Sequence, residues 1–170
     1  MTRKQKLHIL LFDNYSPFNM DGSHIDQKLS EFTRLSRERG LSITHQRLAV
    51  YRELLASGEH PDAETIYKSI HEKYPTISLA TVYKALDTLL ELGVITMVKS
   101  TDGIMRFDAN TDPHHHLVCV RCGKLVDIGS EELGPLPALR SRLKGFKVIN
   151  YSIEVEGICA ECQAKGQSTS

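Results

Sequence analysis

From Ile25 onward the apolar positions fall into helical register. Ile25, Leu29, Phe32 and Leu35 recur every three or four residues, which lines one face of an α-helix, and the run ends near Gly40. Thr44 carries the side-chain acceptor of an N-cap and opens a second helix that buries Leu48, Tyr51 and Leu55 before Gly58 stops it. Asp62 caps a third, whose stripe is Ala63, Ile66, Tyr67, Ile70 and Tyr74, broken by Pro75. Ser78 caps a fourth helix that runs to about Leu92, with Gly93 just past its end. Its turn angle points Leu79, Val82, Leu86, Leu89 and Leu90 inward and leaves Thr81, Lys84 and Thr88 on the opposite face, with Tyr83 at the boundary.

The period then shortens. Residues 94–98 and 104–108 are β-prone runs joined by the turn sequence Thr101-Asp102-Gly103, and helices followed by such a hairpin describe a winged helix-turn-helix. Further on, strands are expected near 117–120 and 124–128, a short helix near 137–143, and a last strand over 147–156. In that strand Ile149, Tyr151, Ile153 and Val155 alternate with polar or smaller residues. The expected class is α+β in two domains, a winged-helix domain over 23–108 and an α/β domain over 114–164. A hinge at 109–113 joins them, an arm without helical periodicity (1–22) precedes them, and a tail (165–170) follows.

Composition narrows the partners. The 170 residues are 41% hydrophobic, enough for a packed core, and 21 basic side chains balance 21 acidic ones. Any contact with nucleic acid must therefore come from a local patch. One exists: Lys28, Arg34, Arg37, Arg39, Arg47 and Arg52 face only Glu31, Glu38 and Glu53 between residues 28 and 56. Arg37, Arg39 and Arg47 are placed to grip phosphates, Lys99 in the wing to touch backbone, and Thr81 and Lys84 to meet base edges or phosphates in a major groove. The plainer alternative is a solvated helix surface with i to i+4 ion pairs. The longest apolar run, residues 9–12, is far below the roughly 20 residues of a membrane span. Arg3, Lys4 and Lys6 before it imitate a secretion signal, but the segment is too short and lacks a cleavage site, so a cytoplasmic protein without a membrane partner is expected.

The chain's four cysteines form two pairs, Cys119-x-x-Cys122 and Cys159-x-x-Cys162. Two such pairs can place four thiolates around one tetrahedral Zn²⁺. Two disulfides or redox dithiols are the alternative, disfavoured in a cytosolic chain without a thioredoxin-like pattern. Gly123 and Lys124 suit a knuckle turn whose N–H groups face sulfur.

The densest group of further ligands is Asp112-Pro113-His114-His115-His116. In an extended chain His114 and His116 share one side and His115 points away. Asp108 at the end of the wing, Asp127 after the first cysteine pair and His60 before the third helix complete a candidate site. Imidazole and carboxylate together suit Fe²⁺, Mn²⁺ or Zn²⁺ better than Mg²⁺ or Ca²⁺. A histidine run can also be a solvated loop, and a hydrolytic zinc enzyme built on His114 and His116 is a third reading. No nucleophile with a positioned base is visible, so no enzyme is expected. His45 and His71 read as surface or capping residues, and His8 and His24 carry no signal.

Four stretches together carry a resemblance. They are Gly40-Leu41-Ser42-Ile43-Thr44-His45-Gln46-Arg47, His60-Pro61-Asp62-Ala63-Glu64-Thr65-Ile66-Tyr67, Ser78-Leu79-Ala80-Thr81-Val82-Tyr83, and the run from His114 through Cys119-x-x-Cys122 to Lys124, followed by Cys159-x-x-Cys162. Over about residues 29–164 the chain resembles the ferric uptake regulator (Fur) superfamily, most closely its peroxide-responsive repressors. The resemblance implies a homodimer with winged-helix domains and C-terminal dimerisation domains that binds palindromic double-stranded operator DNA. It implies structural Zn²⁺ at Cys119, Cys122, Cys159 and Cys162, and regulatory Fe²⁺ or Mn²⁺ at His60, Asp108, His114, His116 and Asp127. Thr81, Tyr83 and Lys84 match the recognition-helix region.

By the same resemblance, iron and hydrogen peroxide oxidise His60 or His114, a ligand is lost and DNA is released. Asp127 resembles the peroxide-sensing branch, where iron-responsive members usually carry Glu. Tyr151 stands where members with an additional metal site carry histidine, and His115 departs from the commoner peroxide-sensor pattern. A repressor responding to iron or zinc level is the alternative on the same scaffold.

Overall fold

In the computed structural model the described residues are 21–100, 103–129, 132–133 and 152–167, with Lys99 described by its backbone alone. The expected helix at 137–143, the turn residues Thr101 and Asp102, residues 147–151 with Tyr151, and most of the N-terminal arm lie outside them. Each helix predicted from periodicity is present and starts at its capping side chain. Helix α1 (Gly22–Glu38) begins earlier than its apolar stripe because Asp21 accepts from the His24 N–H at 2.9 Å, so the end of the expected arm belongs to this helix. Thr44, Asp62 and Ser78 cap α2 (His45–Ala56), α3 (Ala63–His71) and α4 (Leu79–Leu92) in the same way. Gly93 ends α4 at φ 70°, a left-handed conformation that a Cβ would oppose.

The four helices close around one core. Phe32, Tyr51, Leu54, Ile66, Ile70, Val82, Leu86 and Leu89 are almost fully buried there. Two details differ from the sequence pattern. Thr88, expected outward, is buried, because its hydroxyl donates to the Lys84 carbonyl at 3.0 Å and needs no solvent. Tyr74 lies past the end of α3 and stays exposed, its ring edge-on to His45 with centroids 4.9 Å apart.

Strands β1 (Thr96–Lys99) and β2 (Met105–Asp108) pair antiparallel. The second part is a sheet in the order β4-β3-β5 among the described residues, with β3 (His115–Cys119) antiparallel to β4 (Leu125–Ile128) and parallel to β5 (Glu154–Gly157). Strand β3 begins two residues earlier than expected and takes in His115 and His116. Helix α5 (Ala160–Gln167) follows, so part of the expected tail is helical; being short and polar, it leaves no apolar period to read. No helix among the described residues is long and apolar enough to cross a membrane.

Leu86 is wholly buried and Tyr83 is 48% exposed on the same helix. Leu86→Ala should therefore cost about 2–5 kcal/mol in urea unfolding, whereas Tyr83→Ala should stay within about 0.5 kcal/mol.

Candidate metal centre

Two local devices bring distant residues together. The Phe107 N–H donates to the Pro61 carbonyl at 3.0 Å, and the Arg106 guanidinium donates to the His60 carbonyl at 3.3 Å, so the segment between α2 and α3 is fastened to β2. That sets His60 beside Asp108. In the β3–β4 ladder His116 is directly opposite Asp127, which brings their side chains to one face. His114 precedes β3 by one residue and its ring turns to the same side, while His115 points away, buried, with Nδ1 accepting from the Ile153 N–H at 3.2 Å.

One ligand atom from each of His60, Asp108, His114, His116 and Asp127 lies within 4.8 Å of all the others. His60 Nε2 is 2.9 Å from Asp127 Oδ1 and 3.5 Å from Asp108 Oδ2. His114 Nε2 is 2.9 Å from Asp108 Oδ2 and also 2.9 Å from His116 Nε2. Yet His60 Nε2, Asp108 Oδ2 and Asp127 Oδ1 are buried without a hydrogen bond of acceptable direction. Close approach with missed angles is what lone pairs aimed at a common point produce, and it suits a cation between them better than pairwise bonds. Three imidazoles with two carboxylates are a donor set for a divalent transition ion.

The electrostatics agree. Burial by itself would lower His60, but Asp108 and Asp127 outweigh it and hold its pKa raised to about 9. Asp108 raises His114. Burial pushes both carboxyls up, yet the imidazoles of His114, His116 and His60 close beside it keep Asp108 well below the usual carboxylate range, and His60 lowers Asp127. The pocket attracts positive charge. Beside it a cavity of about 20 Å³, bordered by Leu54, Gly58, His60, Asp108 and Asp127, has room for one water-sized molecule.

The four cysteines also converge, with their sulfurs within 4.8 Å of one another and none in a disulfide. Cys122 and Cys159 sulfurs are 3.7 Å apart, close to the edge of a tetrahedron with arms of about 2.3 Å. Gly123, at φ 70°, closes the knuckle by donating to the Cys119 carbonyl at 2.8 Å. The Cys159 N–H lies 3.3 Å from Cys119 sulfur and lowers that thiol to about 6, while the Cys122 and Cys159 sulfurs raise Cys162 to about 12. Crowded thiols of this kind cannot all ionise without a cation. Arg121 donates to the Cys162 carbonyl at 2.8 Å and joins the knuckle to α5.

The proposed DNA contacts are at the surface but not all are idle. Arg37, Tyr83 and Lys84 are exposed, and Thr81 is half-buried with its hydroxyl 2.9 Å from that of Ser78. Arg39 donates to the Glu91 carbonyl at 2.7 Å, and Arg47 donates to the Ser42 carbonyl. Arg34 pairs with Glu38 and Arg52 with Asp26, which reduces the free charge of the patch.

A sequence model described as the Ferric uptake regulator family matches residues 38–156. The peroxide-responsive repressor PerR of Staphylococcus epidermidis is 37% identical over 142 residues, which are 84% of this chain and 95% of the relative. The Helicobacter pylori ferric uptake regulator Fur, whose structure is described as revealing three functional metal binding sites, is similar with a TM-score of 0.71 at 26% identity, over 82% of this chain and 93% of that one. The Pseudomonas aeruginosa ferric uptake regulator with manganese is similar with a TM-score of 0.60 at 25% identity, over 75% and 97% of the two chains.

In the metal-free protein a raised His60 pKa means that the folded state holds a proton the unfolded chain releases. That stabilisation is complete below about pH 6.5 and is lost as pH rises through about 9. Thermal unfolding across this window should therefore show falling stability in metal-free protein, and a flatter profile in His60→Asn or with a divalent ion in the proton's place. A profile that rises with pH contradicts the geometry.

Proposed function

The chain belongs to the ferric uptake regulator family, and from that premise we propose that it is a homodimeric, metal-dependent repressor that leaves its operator when hydrogen peroxide oxidises a histidine of the mixed cluster. The carrying observation is the convergence of His60 with Asp108, His114, His116 and Asp127. As a member of a family of regulators it is not an enzyme.

Structural Zn²⁺ is held by Cys119, Cys122, Cys159 and Cys162, and regulatory Fe²⁺ or Mn²⁺ by the five mixed ligands. The unpartnered His60, Asp108 and Asp127 atoms support the second assignment. Bound Fe²⁺ supplies the electron that reduces hydrogen peroxide, whereas Mn²⁺ supplies charge without that reactivity. The chain's own groups do the rest. His60 and His114 each have Nε2 2.9 Å from a carboxylate oxygen of the cluster, so either ring would lie beside an ion held there. In the net reaction hydrogen peroxide takes two electrons from the ring: its O–O bond and the ring's Cε1–H bond break, one oxygen stays on Cε1 as 2-oxo-histidine and the other leaves as water. The product donates poorly, and the tie is lost between His60 and the strands that carry the other ligands.

Residues 23–108 form the winged-helix DNA-binding domain, joined by a hinge (109–113) to a dimerisation domain (114–164). The exposed side of α4, with Thr81, Tyr83 and Lys84, enters the major groove. Arg37, Arg39 and Arg47 meet phosphates, since a guanidinium that gives one N–H to a carbonyl keeps four more donors. Two copies related by a two-fold axis read a palindromic operator in the cytoplasm. Moving the protein from 1:99 to 99:1 in favour of the DNA-competent arrangement needs about 5.5 kcal/mol of differential ion binding, within reach of five ligands.

Likeness to the Helicobacter pylori ferric uptake regulator favours a second reading, in which occupancy tracks free iron or zinc directly. Operator binding by iron-loaded protein before and after mild hydrogen peroxide separates the two. The peroxide reading predicts release together with one added oxygen atom in a peptide containing His60 or His114, and no release from manganese-loaded protein. Continued binding through peroxide, with release only as free metal falls, supports the metal-level reading instead.

A further inference from the structure

Asn110 sits in the hinge between Asp108 and His114 and is buried, at 8% exposure. Its backbone N–H donates to Asp108 Oδ1 at 2.7 Å, and its side-chain Nδ2 donates to Asp127 Oδ2 at 3.4 Å. The orientation of the amide is fixed independently: its Oδ1 accepts from the Asp112 N–H at 3.1 Å, so the NH₂ end must face Asp127. Asn110 thus occupies one oxygen of each carboxylate. The two oxygens left over, Asp108 Oδ2 and Asp127 Oδ1, are the buried, unpartnered ones that face the histidines.

We propose that Asn110 is a positioning residue for the ion site: it holds both carboxylates so that each offers a single oxygen, and through its amide it fixes Asp127, on β4, against the segment that follows β2. Five donors then surround the ion, three nitrogens and two oxygens. Ions that take six to eight oxygens, such as Ca²⁺, are disfavoured, and a transition ion keeps a position for a small ligand. Ligating carboxylates are commonly held by such outer partners, whose loss costs about 10–100-fold in metal affinity. This inference rests on the five-residue cluster being an ion site.

Full-length protein with zinc at its cysteines is titrated with Mn²⁺ as wild type, Asn110→Ala, Asn110→Asp and His116→Ala. Affinity and the electron paramagnetic resonance splitting of bound Mn²⁺ are read, with zinc content and thermal unfolding as checks on folding. Asn110→Ala removes the whole amide. Asn110→Asp keeps the shape and the acceptor for Asp112 but replaces the donor to Asp127 with an oxygen. The proposal expects Asn110→Ala to bind Mn²⁺ about 10-fold more weakly, and both Asn110 variants to change the splitting. Unchanged affinity in Asn110→Ala overturns it. So does a wild-type splitting in Asn110→Asp, which would assign the residue to the turn alone and which decides the matter if Asn110→Ala does not fold. Wild-type affinity in His116→Ala overturns the ion site itself, and the inference with it.

Discussion

Five lone-pair donors packed within 4.8 Å of one another impose the constraint on which the architecture turns. Two are carboxylate oxygens held ionised, and His114 and His116 bring their Nε2 atoms to 2.9 Å, a separation two bare imidazole lone pairs would resist. Protons relieve part of the conflict, as the raised His60 and His114 pKa values express. A divalent ion relieves it better, because it meets all five donors at once and competes with those protons. Since His60 precedes α3 and the others follow β1, whatever sits at this point connects the helical part to the sheet.

The second cluster gives the first its rigidity. Cys119 ends β3, Cys159 follows β5, and the four sulfurs gather where these parallel strands end. Strand β3 is thereby anchored at its far end, and the register that sets His116 against Asp127 is maintained. The knuckle also reaches the β1–β2 hairpin, where the buried Ser100 hydroxyl donates to the Gly123 carbonyl at 3.3 Å. Both ends of the hairpin therefore meet metal-binding segments: Ser100 at the knuckle and Asp108 at the mixed cluster.

Much of this was legible in the chain, and the exceptions have physical reasons. Helix starts were readable because Thr44, Asp62 and Ser78 are strong caps before periodic apolar runs, whereas α1 starts with a polar turn that periodicity cannot register. Thr88 falls on the outward side by helix angle, yet a hydroxyl satisfied inside its own helix can be buried. Ligand types and the alternation of His114 and His116 were visible, and the structure brings all nine candidate ligands into two groups. The way the carboxylates are held was not. Asn110 in Ala109-Asn110-Thr111-Asp112 looks like any polar loop residue, and only the fold reveals that its two ends face different partners.

If one ion at the mixed cluster fastens the helical part to the sheet, its binding must compact the molecule. Small-angle X-ray scattering of the zinc-loaded protein with and without Mn²⁺ tests it most directly, with His60→Ala measured alongside. A smaller radius of gyration is expected for the wild type when Mn²⁺ is present, and no such change in His60→Ala. Superimposable wild-type profiles in the two conditions, or equal compaction of the variant, would contradict it.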